Sequence, residues 1–303
     1  MKKQKSWHSN IMLVLTALIW GIAFVAQSEG MNHVGAFTFN ACRFLIGGLM
    51  LLPLIFFFRS SNTGRNAAGK KLRTGITGGL CCGFFLFIAS TLQQMGIAYT
   101  TAGKAGFITS LYIIIVPVLG LLAHKRVGWN IWISVLAAAS GMYLLCVTDS
   151  FAIGKGDTLI FLCALGFSLH ILIIDYFSPK ASGIVISCVQ FFTAGLLSTA
   201  FMFITEQPKW GGIYAAGIPI LYAGILSCGV AYTLQVIAQK QVAPVIASLL
   251  MSLESVFSLL AGMLLLGEQL TPREAAGCIL VFGAIILAQI PIKQLAGRCL
   301  PNE

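Results

Sequence analysis

Charge is scarce in this sequence, and acid above all. Asp and Glu total 9 in 303 residues, and the four charged types together make up 9%. Soluble globular chains carry about a quarter charged residues, so this shortage excludes an ordinary soluble domain. Catalytic motifs are missing as well. There is no HExxH, no GxSxG and no aspartate-rich prenyl-diphosphate motif, and Asp149, Asp157 and Asp175 all sit near the ends of apolar stretches. An intramembrane enzyme is thereby a remote alternative. None of the nine cysteines has CxxC spacing, and vicinal Cys81-Cys82 does not suit an ordinary metal site. The cysteines read as small buried apolar residues, with no metal and no cofactor expected. Gly64-x4-Gly69-Lys70-Lys71 nearly matches a phosphate loop, but Lys71 stands where a Ser or Thr must hold magnesium. Transport driven directly by ATP within this chain is therefore not expected.

What is present is apolar surface: 58% hydrophobic residues and a mean hydropathy of +0.91. Apolar stretches run over 10–28, 35–58, 75–98, 105–123, 129–147, 158–177, 183–204, 213–238, 244–266 and 273–291. Each approaches the ~20 residues needed to span a bilayer as a helix. They are too long, and too little alternating, for barrel strands. The first follows Lys2, Lys3 and Lys5 and has the look of a secretory signal, but Phe24-Val25-Ala26 is a poor cleavage site. It is expected to be retained. Connections are short, the longest being the basic stretch Arg59–Arg73.

The net charge of +10 has a topological explanation. With the N-terminus in the cytoplasm, 14 Lys and Arg fall on the cytoplasmic side and 4 (Lys104, Lys155, Lys209, Arg273) outside, with Arg43 inside a span. That asymmetry is the positive-inside bias. It predicts a multi-pass protein of a plasma (cell inner) membrane with both termini cytoplasmic, and no nucleic-acid partner.

The chain also contains a faint copy of itself. Thr91-Leu92-Gln93 recurs as Thr233-Leu234-Gln235, and at the same offset Ser110-Leu111 falls on Ser252-Leu253, Gly120 on Gly262 and Gly141 on Gly283. Five spans per copy is an odd number, so the second copy must lie upside down relative to the first, a device of secondary transporters. The expected fold is an all-α integral membrane protein, with ten transmembrane helices as two inverted five-helix repeats, 9–148 and 157–292, around a central cavity. Thr271-Pro272-Arg273-Glu274 reads as a capping box opening the last span. Pro53 and Pro117 fall inside spans, where they permit kinks. Gly79-x3-Gly83 and other small-residue faces allow close helix approach, either within one chain or between the copies of a homodimer.

Polar residues within spans need a partner or water, because charge at the bilayer centre is expensive. Arg43 and Glu254 are expected to share a water-filled cavity, to pair with each other, or to lock helices as a structural ion pair. Lys104, at the outer start of its span, is expected to snorkel to the interface. His170 either carries protons or is simply hydrogen-bonded. Ser90, Gln93 and Gln94 form one helical face, and Cys228, Tyr232 and Gln235 form the equivalent face in the second copy. Ser248, Ser252 and Ser255 make a further stripe, and Tyr112 is the repeat mate of Glu254. These faces line a solute path or bond helices together; as a path, Gln93 and Gln235 face one shared cavity. Trp20-Gly21 is either a cavity-wall aromatic beside a flexible point or core packing.

Several of these residues carry a resemblance. Trp20-Gly21, Arg43-Phe44, Ala102-Gly103-Lys104-Ala105-Gly106-Phe107, Leu253-Glu254-Ser255-Val256, and Gly267-Glu268 followed by Gly277 and Gly283 resemble the EamA-type drug/metabolite transporter superfamily over essentially the whole chain. The resemblance implies ten helices around a central cavity, and alternating-access movement of small organic solutes, often outward. Two departures stand out: Ser255 where the family often has Pro, and Lys125-Arg126 near the first-repeat counterpart of Glu268. The expected function is a secondary transporter of a small organic metabolite or drug-like solute, coupled to protons or a counter-solute. Substrate and cavity residues are expected to be Trp20, Arg43, Gln93, Gln94, Tyr112, His170, Tyr232, Gln235 and Glu254. The rival class is a membrane assembly or sensor subunit without transport.

Overall fold

The computed structural model describes residues 7–57, 65–100, 102–122, 128–146, 154–266 and 271–289. Lys2, Lys3, Lys5, Arg59, Lys125-Arg126, Asp149, Gly267-Glu268, Lys293, Arg298 and Cys299 lie outside them, as does Gly64 of the near-phosphate-loop. Lipid offers the backbone no hydrogen bonds, so apolar runs of this length satisfy themselves as helices.

The order is α1 (Trp7–Gly30), α2 (Ala36–Phe57), α3 (Arg65–Ile97), α4 (Ala102–Ser110), α5 (Tyr112–Leu122), α6 (Trp129–Cys146), α7 (Lys155–Phe177), α8 (Gly183–Thr205), α9 (Trp210–Ala215) and α10 (Gly217–Leu221). A π-helix (Tyr222–Tyr232) follows, then α11 (Thr233–Ala238), α12 (Pro244–Met251), α13 (Leu253–Leu266) and α14 (Pro272–Gln289). Eight segments are long and apolar enough to cross a membrane; two more apolar helices, Trp129–Leu144 and Ala275–Ala288, are shorter. They stand where the fifth and tenth spans are expected.

Four local features differ from the expectation. The stretch Arg59–Arg73 is helical from Arg65 onward. Gly69, Lys70 and Lys71 accordingly lie inside α3 rather than in a phosphate loop. At 33 residues α3 is about 50 Å long, more than the ~30 Å hydrocarbon layer needs, and its basic first turns are the excess. The fourth expected span breaks at Leu111, the ninth at Ser252, and the eighth is wound as a π-helix over 11 residues. By contrast, Pro272 is the first residue of α14 as expected, and Ala275 N donates to Thr271 O (3.0 Å), the first backbone bond of the helix.

Packing follows the offset of 142. α2 packs on α8 and α6 on α14, pairs that the offset maps onto each other. α7 packs on α3 as α1 packs on the π-helix and α11. Gly79 and Gly83 serve the contact between α3 and α8. A Cβ on Gly79 would lie 2.5 Å from Val189 Cβ, and one on Gly83 would lie 2.7 Å from Gln190 O. The small-residue face therefore packs within the chain. At one end of the bundle Glu206, just past α8, caps α2: Phe37 N and Thr38 N donate to its two carboxylate oxygens (2.9 Å each), and Thr38 Oγ1 donates to Oε2 (2.6 Å). These bonds fill backbone donors that a helix start leaves open.

Candidate functional site

The broken helices meet at the centre of the bundle. An α-helix break frees backbone groups and is tolerated at membrane depth only inside protein or beside a cavity. Tighter three-residue turns bridge both breaks, Ile114 N to Leu111 O (2.9 Å) and Ser255 N to Ser252 O (3.1 Å). The breaks set Tyr112 and Glu254 in the first turns of α5 and α13. Tyr112 Oη donates to Glu254 Oε1 (2.9 Å), and Ser110 Oγ reaches the same oxygen (3.2 Å). Ser110 and Ser255 hydroxyls also bond each other (2.8 Å). In the first turn of α13, the Glu254 carboxylate sits at the favourable end of the helix dipole. Gly21 lets α1 close on this corner, for a Cβ there would lie 2.9 Å from Glu254 O and 2.6 Å from Phe257 Cβ.

These groups form part of the wall of a cavity drawn from α1, α2, α3, α4, α5, α7, the π-helix, α11, α12 and α13. It leaves about 30 Å³ in which the centre of a water-sized sphere can move. One water needs roughly 10–15 Å³ on that measure, so there is room for about two.

Of the nine residues expected as substrate and cavity contacts, all but Gln94 line this cavity: Trp20, Arg43, Gln93, Tyr112, His170, Tyr232, Gln235 and Glu254. Gln94 sits behind it, fully buried, and donates Nε2 to Gln27 O (3.1 Å). Arg43 and Glu254 share the cavity, but no ion pair joins them among the described residues. Arg43 Nη1 instead donates to Gln27 Oε1 (3.0 Å), and its guanidinium lies 4.8 Å from the Phe44 ring centroid and 5.6 Å from that of Phe39. Gln93 Nε2 donates to Thr109 Oγ1 (3.2 Å). His170 Nε2 bonds Gln190 Oε1 (3.0 Å); an amide oxygen only accepts, so Nε2 carries the hydrogen. The Trp20 and Tyr232 rings pack with centroids 4.6 Å apart.

Two expectations about polar side chains need correction, and a third gains a partner. Lys104, its side chain 35% exposed, pairs through Nζ with Asp157 Oδ2 (2.7 Å), and Asp157 also accepts from Thr100 Oγ1 (3.2 Å) and Gly154 N (2.8 Å). Ser248 and Ser252 do not line the cavity; their hydroxyls donate to Val245 O and Leu249 O within their own helix (2.8 Å each). On the eighth span the lining face carries Ser227, Tyr232 and Gln235, without Cys228.

Sequence reasoning also missed Gln27 and Thr109. Gln27 was legible, since Trp20, Phe24 and Gln27 fall at i, i+4 and i+7, one helical face. Thr109 precedes the break at Leu111, and no signal marks its direction. Among the described residues there is no group of three or more His, Cys, Asp or Glu placed to hold a metal.

Comparison with known proteins adds a second line. The sequence profile of the EamA-like transporter family matches this chain twice, over residues 7–147 and 154–289. A protein of Archaeoglobus fulgidus described as an uncharacterized transporter is 30% identical over 289 residues, which is 95% of this chain and 88% of its own. The uncharacterized transporter YoaV of Bacillus subtilis is 23% identical across 91% of this chain and 94% of its own. A solved crystal structure of a protein 18% identical superposes with a TM-score of 0.75, covering 95% of this chain and 98% of the other. At that identity it shows a shared fold.

Proposed function

This chain belongs to the EamA-like transporter family of the drug/metabolite transporter superfamily and is a multi-pass membrane protein, and on that premise we propose that it carries a small organic metabolite or drug-like solute across the plasma membrane by alternating access. The observation that carries this reading is the Tyr112–Glu254 bond: the two residues stand 142 apart, the offset of the internal repeat. When equivalent residues of two copies touch each other, the contact lies on the two-fold axis relating the copies. Ten helices then form two inverted repeats, 9–148 and 157–292, and the cavity wall takes Gln93 from one and Gln235 from the other.

The lining residues are the proposed solute contacts, and Gln94 positions α1 behind them. About 30 Å³ does not admit an organic solute, so the walls must part first, and the breaks at Leu111 and Ser252 are the natural hinges. Two seams close the ends. Lys104–Asp157 ties α4 to α7, and at the opposite end Ser9 Oγ donates to Gln241 Oε1 (3.4 Å), tying α1 to the turn that precedes α12. With cytoplasmic termini, the first seam faces outward and the second inward. Opening one while the other holds is alternating access.

Glu254 is the proposed proton site. Its partners Tyr112 and Ser110 are hydroxyls, which can donate to a carboxylate or accept from a carboxylic acid. The same geometry thus serves both protonation states. The test is uptake of a mixed metabolite pool by proteoliposomes, with and without a proton gradient. The expected result is gradient-dependent accumulation of particular solutes that Glu254→Gln uncouples. Absence of flux above protein-free vesicles would contradict transport, and gradient dependence surviving Glu254→Gln would contradict the proton site.

A further inference from the structure

The cavity also holds a cation whose recognition edge is unused. Arg43 is 2% exposed and lines the cavity, yet among the described residues Nε and Nη2 have no hydrogen-bond partner. A buried charge is expensive unless it is paired and hydrogen-bonded. Gln27 Oε1 takes only Nη1, and the guanidinium carbon lies over the Phe44 and Phe39 rings, 4.8 and 5.6 Å from their centroids. The carboxylate across the cavity makes no ion pair with it, and its Oε1 accepts from Tyr112 and Ser110.

The two free donors are not scattered. Nε and Nη2 form one edge of the guanidinium, the parallel fork that matches the two oxygens of a carboxylate. With Nη1 held by Gln27 and two aromatic rings close by, the fork is positioned, and its Nε–Nη2 edge is without a partner among the described residues. Beside it, the packed rings of Trp20 and Tyr232 offer an apolar wall.

We propose that the solute is an organic monocarboxylate, its two oxygens held side-on by Nε and Nη2 of Arg43 and its apolar or aromatic body set against Trp20 and Tyr232. This deepens the transporter reading and rests on it. Gln27 is then the positioning residue that aims the fork, and no covalent step is involved.

The test separates charge from shape. Purified full-length protein in nanodiscs is titrated with acetate, phenylacetate, phenylacetamide and 2-phenylethylamine, reading thermal stabilisation, and the same four probes are followed as flux in proteoliposomes. Phenylacetate should bind about tenfold or more tightly than phenylacetamide, as expected when a charge-assisted pair replaces a neutral one. Acetate should be weaker than phenylacetate because it lacks the ring. Arg43→Lys keeps the charge but loses the fork and should erase most of the preference. Gln27→Glu supplies a permanent carboxylate beside Arg43 and should abolish acid binding while leaving a folded protein, since it completes the ion pair.

Equal or better binding of phenylacetamide or 2-phenylethylamine, or no stabilisation by either acid, would overturn the proposal. So would an acid preference that survives Gln27→Glu. Flux of the amide or amine without acid preference would leave the transporter reading standing while this inference falls. Acid-selective binding with no flux of any probe would keep the site and remove transport.

Discussion

The bond between Tyr112 and Glu254 is where repeat, broken helices and cavity converge, and a double-mutant cycle measures it. Tyr112→Phe deletes only the hydroxyl, and Glu254→Gln keeps the shape of the acceptor while removing its charge. Both side chains are at most 3% exposed, so water cannot easily replace the lost partner. Hydrogen bonds between membrane helices average ~0.6 kcal/mol in such cycles, with a maximum near 1.7. The 2.9 Å Tyr112–Glu254 contact involves an acid and is buried on both sides, which argues for the upper end. Ser110 at 3.2 Å on the same oxygen argues against the maximum, because it partly substitutes when the phenol goes. The expected coupling is therefore about 1–1.5 kcal/mol, roughly a fivefold to tenfold change in an equilibrium constant. The assay is unfolding of wild type, both single variants and the double variant in one lipid mixture. Additive effects, with a coupling under about 0.3 kcal/mol, would refute the contact and with it the placement of the axis.

Two further outcomes follow from the ends of the bundle. Glu206→Ala removes the acceptor for Phe37 N, Thr38 N and Thr38 Oγ1, and should lower stability by about 1–2 kcal/mol, read as a drop in thermal midpoint; Gly35→Ala should act the same way, because its Cβ would run into the Glu206 carboxylate. Lys104→Met breaks the seam with Asp157 and should bias the protein toward the state open on that side, measured as faster labelling of a cysteine at Thr109 by an impermeant maleimide. Unchanged labelling would mean that the pair does not hold the seam.

Much of this molecule was legible because membrane insertion leaves coarse marks. A run of some twenty apolar residues has few alternatives to a helix, and buried charges such as Arg43 and Glu254 stand out against it. The offset of 142 alone aligns Gln93 with Gln235 and Tyr112 with Glu254. What stayed hidden depends on helix phase. Almost every position in these spans is apolar, so nothing in Ser110-Leu111-Tyr112 or Met251-Ser252-Leu253 announces a break; no Gly or Pro stands at either point. Nor does anything in Tyr222–Tyr232 announce its π-winding, and there Ser227 rather than Cys228 lines the cavity. The partner of Lys104, Asp157, lies 53 positions away, and only the α4–α7 packing brings the pair together. Gln27, by contrast, sat on the Trp20 face in plain helical register.

The central claim, that the cavity opens alternately to the two sides around a bound solute, is met most directly by two-sided labelling of a single cysteine. Ser227→Cys, in a background with the native cysteines replaced, places the reporter in the cavity wall without touching either seam. Proteoliposomes of known orientation are exposed to an impermeant maleimide from one side or the other, with and without a transported solute. Reaction from both sides is expected, with the solute shifting the ratio of the two rates. Reaction from one side alone, unmoved by any solute that is carried, would contradict it.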